Sequence, residues 1–513
     1  MELIRRPVRT YRTIEIRETE ELFENSMIVP DSKPDVKNIL VSDAECFVTG
    51  VEKSGRMMEV SGEIRYRILY VSDTPDRRVE SIATHFPWSV SCQKPKNEGE
   101  TGVIARCRCQ HTEANALNGR KIVGRTVTSL NLRFVEIRSE ELSNEIAGEN
   151  ICVRNKPVNV VSLKDTMDTV ARVNQTLSLP NGSPAIKEIL FAKVNVGHPD
   201  VSYRDEEAAL EAKGTLNMLY RGEESDDSLE SVVLEFPVKA GIGVHSGEES
   251  LVFASTALKS WEVEPAEDTD GLNTQVYVSM EMEVNSQAVR QEEVVLVEDA
   301  YALDNNLSLN RVPVNLVTDE RELTENYDAT ARIRLENENN HLDEIYMVTA
   351  SNKSVTSKVS EKTLSIQGSV AVDAVYCADK KTMDTRSQNV ELPINTMLQL
   401  PDNGNWQVVD ASVAIEDVAF DIGGSDAIDV SVKLKIQARI SKLEEIQCID
   451  NAVLTRDENS GRKAPVIMYF TQPGDTLWDI AKRYRIPVDR LAQDNNLDAQ
   501  AAPDVGKKMF IMA

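Results

Sequence analysis

The chain has 513 residues, 41% of them hydrophobic, too long for one ordinary core and rich enough to build three or four. Asp and Glu number 84 against 57 Lys and Arg, a net charge of −27, which argues against nucleic acid or an anionic membrane as the main ligand and favours a basic or neutral partner. The N-terminus, MELIRRPVRTYRTIEIRETE, is charged throughout and has no apolar h-region, so no signal peptide is expected. No run reaches the ~18 apolar residues of a membrane span. Seven scattered cysteines (Cys46, Cys92, Cys107, Cys109, Cys152, Cys377 and Cys448) form no disulfide framework and fit a reducing compartment.

Three long segments share one ruler. GEIRYRILY ends at Tyr70, GTLNMLY at Tyr220 and GSVAVDAVY at Tyr376. A proline follows each Tyr by 17 residues, at Pro87, Pro237 and Pro393. A short motif begins 36 residues before each Tyr: PDVKNIL from Pro34, PAIKEIL from Pro184 and NHLDEIY from Asn340. A Pro-Val pair lies 63 residues before it, at Pro7, Pro157 and Pro313. Four landmarks in constant register across three copies predict an internal repeat, with units at 1–156, 157–312 and 313–456.

In chain order, the PDVKNIL-type motif follows the Pro-Val pair of each unit and is read as a short helix. Ser183-Pro184 supplies a good N-cap and first helical turn there. The Tyr-terminated segment alternates apolar and polar residues, which marks a strand with one buried face. In the second copy Gly214 takes the place of Ile64, a sign of close approach by a neighbour. A polar loop and a second strand complete a hairpin, whose proline belongs at a strand end or a sheet edge. Further alternating strands follow at 126–137, 274–284 and 428–440. Each unit is therefore expected to be mostly β, sandwich- or barrel-like, with one short helix.

The PxVKxIL motif followed by the GxIxYxxLY strand resembles the SPOCS domain of clostridial spore-coat morphogenetic proteins, across most of residues 1–456. The third copy lacks the Pro and Lys of the first motif. A polar linker at 457–466 then leads to residues 467–513, which are similar to LysM modules, small α+β (βααβ) domains. Tyr469-Phe470 falls on the first strand and Pro473-Gly474-Asp475-Thr476 on the turn into helix one. Leu477, Ile480, Ala481 and Tyr484 follow i, i+3, i+4, i+7 spacing, the buried stripe of an amphipathic helix. LysM modules bind N-acetylglucosamine-containing glycans, which implies Gly474, Asp475, Thr476 and the stretch from Asn496 as glycan-binding residues. Pro503, where an apolar residue usually precedes the glycine turn, departs from the family pattern.

Trp478 lies off the buried stripe, and Lys482 and Arg485 follow at i+4 and i+7. The three share one helical face. An aromatic flanked by cations is a protein-docking face, unless Trp478 folds onto its own domain. Six basic and six acidic residues balance in this module, so the repeats carry the acidic surplus.

No catalytic constellation is evident. Cys107, Cys109 and His111 alternate along one strand, but read as core residues rather than metal ligands. The acidic run at Glu223, Glu224, Asp226 and Asp227 reads as a solvated hairpin loop, since it lacks EF-hand spacing. No enzyme activity, cofactor or metal is expected. The two resemblances together imply a coat-assembly adaptor of the mother-cell cytoplasm, acting at the forespore surface. Its LysM region would bind the coat's basement-layer morphogenetic ATPase, and other coat proteins could join. The alternative is a glycan-binding anchor on peptidoglycan or spore cortex.

Overall fold

The computed structural model describes residues 1–513 apart from 97–99, 205–206, 224–227, 246–249, 336–341, 425, 457–465, 500–501 and 513. The protein is mainly β. The first unit comprises β1 (Glu2–Ile28), β2 (Val36–Ser54), β3 (Met57–Ser72), β4 (Val79–Gln93), β5 (Glu100–Asn118) and β6 (Lys121–Ala147). Among the described residues these form two antiparallel sheets, ordered β1-β6-β5 and β2-β3-β4. Apolar residues of β3 (Val60, Ile64, Tyr66, Ile68, Tyr70) pack against those of β6 (Ile122, Leu130, Leu132, Phe134) in one core between the sheets. The unit is thus a β-sandwich.

The second unit repeats the plan with β7 (Ile151–Ser178), β8 (Ile186–Val196), β9 (Asp200–Arg204), β10 (Glu207–Gly222), β11 (Leu229–His245), β12 (Leu251–Ala266) and β13 (Gln275–Ala302). The third uses β14 (Asn305–Arg334), β15 (Glu344–Ser360), β16 (Thr363–Asp379), β17 (Asp384–Gln399), β18 (Trp406–Ile422) and β19 (Ala427–Arg456). The central strands of the sheets are β3, β10 and β16, and β6, β13 and β19. These hold the alternating segments seen in the sequence. Pro157 and Pro313 lie inside β7 and β14.

The repeat landmarks have physical causes. The Tyr70 hydroxyl donates to the Pro34 carbonyl at 3.0 Å, and Tyr220 to Pro184 at 3.2 Å. This bond fixes the 36-residue spacing. The third copy's Asn340 and His341 lie outside the described residues. Pro87, Pro237 and Pro393 sit on β4, β11 and β17, the edge strands, where a missing N–H costs nothing. A Cβ on Gly214 would sit 2.4 Å from the Phe236 ring, and one on Gly62 would sit 2.2 Å from Trp88. In both pairs a bulky edge-strand residue lies across a glycine of the central strand.

Among the described residues, the expected short helix is not formed. PDVKNIL and PAIKEIL enter β2 and β8, and the third motif enters β15. Bulges explain the misreading. Pairing skips Lys37 and Leu40 in β2, Lys187 and Leu190 in β8, and Tyr346 in β15. Each skipped residue breaks the two-residue period and leaves apolar side chains at helix-like spacing. A bulge also undoes the Cys107/Cys109/His111 face. Pairing skips Gln110, so His111 opposes Val127 while Cys109 opposes Thr128. Cys109 is buried, and burial pushes its thiol up to about 12. Cys107 forms a disulfide with Cys46, joining β5 to β2. The sequence offered no signal for that pairing, 61 residues apart.

The three sandwiches close into a ring. Leu40, Leu190 and Tyr346 occupy equivalent positions, as do Val41, Phe191 and Met347, and Leu69, Leu219 and Val375. All nine meet in one apolar cluster, which places an approximate threefold axis between the units. The outer halves of the long strands repeat the pattern, with Val8, Val158 and Val314 packed beside Leu142, Leu296 and Cys448. Polar contacts lock each seam. Arg221 of the second unit bonds the Val79 carbonyl and Glu80 of the first. Arg133 and Ser143 of the first unit donate to the Val409 and Ile449 carbonyls of the third. Nearer the axis, Lys193 of the second unit bonds Asp43 of the first at 2.7 Å and Ser351 of the third. Lys193 and Asp43 are both buried.

Candidate functional site

The C-terminal module comprises β20 (Val466–Phe470), α1 (Leu477–Tyr484), α2 (Val488–Asp494) and β21 (Lys508–Met512). Its local sequence explains its shape. The Thr476 side chain caps α1 by accepting from the Asp479 amide at 3.1 Å, and its hydroxyl donates to the Asp479 carboxylate at 2.6 Å. This is a side-chain N-cap, with the N3 carboxylate holding the cap hydroxyl in place. Leu477, Ile480 and Ala481 are buried with Leu491, Met509 and Ile511. Asn495 ends α2 and clamps β21. Its side chain accepts from the Phe510 amide and donates to the Phe510 carbonyl.

The two sets of sequence-predicted site residues face different surroundings. Gly474, with φ +88°, forms the open turn before α1, and Thr476 and Asn496 are exposed. Asp475 is spent on structure: it accepts from the Tyr469 hydroxyl at 2.6 Å and the Gln472 amide at 2.7 Å. The Tyr469 hydrogen bond is the main reason its carboxyl lies below the usual range. Pro503 is buried and so fills an apolar position.

Trp478, Lys482 and Arg485 do share one face, but that face is turned onto the body. The Trp478 indole N–H donates to Asp299 at 2.8 Å, and the Lys482 ammonium bonds both Asp299 oxygens at 2.7 Å. Arg485 donates to Asn306. Tyr301 meets the Trp478 ring edge-on at 5.0 Å, and its hydroxyl donates to the Ile486 carbonyl at 2.6 Å. The Arg154 guanidinium lies over the Trp478 ring, 5.2 Å from its centroid. The aromatic-plus-cation face thus already has an occupant: the chain's own β13–β14 corner. Burial pushes the Asp299 carboxyl up, but the hydrogen bonds from Lys482 and Trp478 outweigh it and hold the pKa low.

A surface that the sequence reading passed over is the outer face of the two-stranded sheet. Val466, Met468 and Phe470 of β20 are 52%, 59% and 56% exposed, and Phe510 and Met512 of β21 are 38% and 40% exposed. Met468 pairs with Phe510 and Val466 with Met512, so the five form one contiguous patch. The signal was present. VIMYF is apolar at successive positions, the pattern of a strand covered on both faces rather than one. Such patches mark interaction sites.

Among the described residues, no helix is long and apolar enough to cross a membrane. No curated protein and no solved structure matches the chain. Residues 469–511 match the LysM domain, and this module, docked by its Trp478 face with its Gly474 turn and outer sheet left open, is the LysM part of the protein.

Proposed function

We propose that the chain is a non-enzymatic assembly adaptor: a rigid ring of three β-sandwiches that presents a LysM domain to a protein partner. The observation that carries this reading is the exposed apolar sheet face of Val466, Met468, Phe470, Phe510 and Met512. A polysaccharide is recognised by polar loops and ring stacking, whereas five clustered aliphatic and aromatic side chains suit a protein surface. The resemblance of the repeats to spore-coat domains supports a finer version. The partner is then the coat's basement-layer morphogenetic ATPase, met at the forespore surface from the mother-cell cytoplasm, and the product is coat encasement. Trp478, Lys482 and Arg485 then position the domain, and the partner is met elsewhere.

One feature favours a second reading, a glycan anchor on peptidoglycan or cortex: Gly474, Thr476 and Asn496 are open to solvent. The two separate in one experiment. The full-length chain is tested against the purified ATPase and against purified peptidoglycan. Phe470→Ala is expected to weaken ATPase binding by about 2 kcal/mol, the scale of an aromatic hot spot, while Asn496→Ala leaves it unchanged. Retention on peptidoglycan that is lost in Asn496→Ala, with no ATPase binding, would replace the adaptor by the anchor.

A further inference from the structure

A cavity of about 380 Å³ lies where the three sandwiches meet. Its lining comes from all three units and reverses the charge of the chain. Seven Lys and Arg face four Asp and Glu there, in a protein where acids outnumber bases 84 to 57. Self-repulsion in so acidic a chain does not by itself gather cations at its centre.

The arginines set the chemistry. Arg133, Gln287 and Arg439 occupy equivalent positions on β6, β13 and β19, opposite Ile104, Phe253 and Asp410. Asp410 lies 3.6 Å from both Arg106 and Arg133. Arg439 is taken up by Glu320 at 2.7 Å and stacks 4.1 Å over Phe253. Arg133 is 6% exposed and Arg439 9%. Their donors are nonetheless incompletely used. Among the described residues, Nε and Nη2 of Arg106, Nε of Arg133 and Nη2 of Arg439 are buried without a hydrogen-bond partner. Arg108 also lines the cavity, and no carboxylate pairs with it among the described residues. Burial and the charge of Arg106 both push its pKa down.

Four guanidinium groups therefore surround a space with two carboxylates, Asp410 and Glu320, in direct contact with them. Buried donors without acceptors and uncompensated buried charge are both costly. The planar fork of arginine matches carboxylate and phosphate oxygens, and a space of this size suits a small molecule. We propose that the cavity on the approximate threefold axis is a binding site for a small multivalent oxyanion, bearing carboxylate or phosphate groups, held by Arg106, Arg108, Arg133 and Arg439. Since the first unit supplies three of these arginines and the third unit the other, a ligand there also bridges the seam between the first and third units.

The test titrates the full-length chain with pyrophosphate and with citrate by calorimetry at constant ionic strength, and follows thermal unfolding in parallel. At least one anion is expected to bind with a stoichiometry of one and to raise the unfolding midpoint, as a ligand of the native state must. A preference for pyrophosphate assigns a phosphate-bearing ligand, and one for citrate a carboxylate-bearing ligand. Arg108→Gln, which removes an unpaired group and leaves the fold intact by circular dichroism, should cut the affinity about ten-fold or more. Lys353→Gln, on the same lining in the third unit, should weaken it to a lesser degree. The proposal fails if neither anion gives heat or a midpoint shift beyond matched sodium chloride. It also fails if binding is undiminished in both variants, because the anion then sits elsewhere.

Discussion

The ring and the LysM domain are both held through a buried aspartate beside a lysine, yet the two attachments differ in what surrounds them. Asp43 meets Lys193 among three packed sandwiches, where nine apolar residues from all units close over the axis. Asp299 meets Lys482 and Trp478 at the edge of a domain of fewer than fifty residues, with Tyr301 as the main apolar bridge. In the ring the ion pair is one contact among many seams, and breaking it strands a charge. At the LysM domain the carboxylate is the hub of the contact, shared with Arg311 of the third unit at 2.9 Å, and breaking it loosens the domain.

The sharpest way to probe that contrast is Lys193→Met. It keeps the volume of the side chain but leaves Asp43 buried, 5% exposed, without its close cation. Removing one partner of a buried pair costs about 3–5 kcal/mol, and this loss should appear in denaturant unfolding of the whole chain. Restoring neutrality with Asp43→Asn in the same background should recover part of it. An undiminished stability in Lys193→Met would mean that Arg67, 3.8 Å from Asp43, suffices as counter-ion.

Asp299→Ala comes next, with about 2 kcal/mol expected, the scale of hydrogen bonds to a charged group. Here the effect should be local. Amide hydrogen exchange should quicken in residues 297–306 and 478–486 while the sandwiches keep their protection. Loosening confined to the β13–β14 seam reports the lost Asp299–Arg311 pair, 2.9 Å in the native chain, whereas loosening of all three sandwiches would make the LysM domain part of the ring's fold rather than a docked passenger. Tyr70→Phe sits lower, at about 1 kcal/mol, because it removes one hydrogen bond to the Pro34 carbonyl and leaves the ring packing in place.

What the sequence disclosed follows the range of each interaction. Alternation along β3, β10 and β16 was legible because burial on one face writes a period of two into adjacent residues. The Pro34–Tyr70 spacing was legible because three copies repeat it, although its cause, a hydroxyl on a carbonyl, was not. PDVKNIL misled because bulges at Lys37 and Leu40 insert residues that point Leu40 to the axis, and a bulged strand mimics a helical stripe. The common face of Trp478, Lys482 and Arg485 was readable from helical geometry. Its occupant was not, since Asp299 lies 179 residues away from Trp478 and nothing marks it among 84 acids. The axial cavity was equally hidden, for it is assembled from residues of three units that no local pattern connects.

The smallest effect, and the most specific to the LysM contact, is its response to acid. When the LysM domain leaves, the Asp299 carboxyl keeps Arg311 at 2.9 Å but loses the bonds from Lys482 and Trp478, so docking lowers its pKa further because those two groups donate to the ionised form. Docking is therefore linked to the deprotonated carboxylate. Its contribution is fully present above about pH 5 and fades below 3.8 as pH falls through the lower value of the docked state. The Trp478 indole N–H resonance, assigned by its disappearance in Trp478→Phe, reports the bond directly. It should shift in that acidic window in the native chain and be insensitive to it in Asp299→Asn, whose amide cannot ionise. A native resonance that stays fixed throughout the window would place the strength of the contact in Tyr301 and its bond to the Ile486 carbonyl, and Tyr301→Phe would then become the variant that releases the domain.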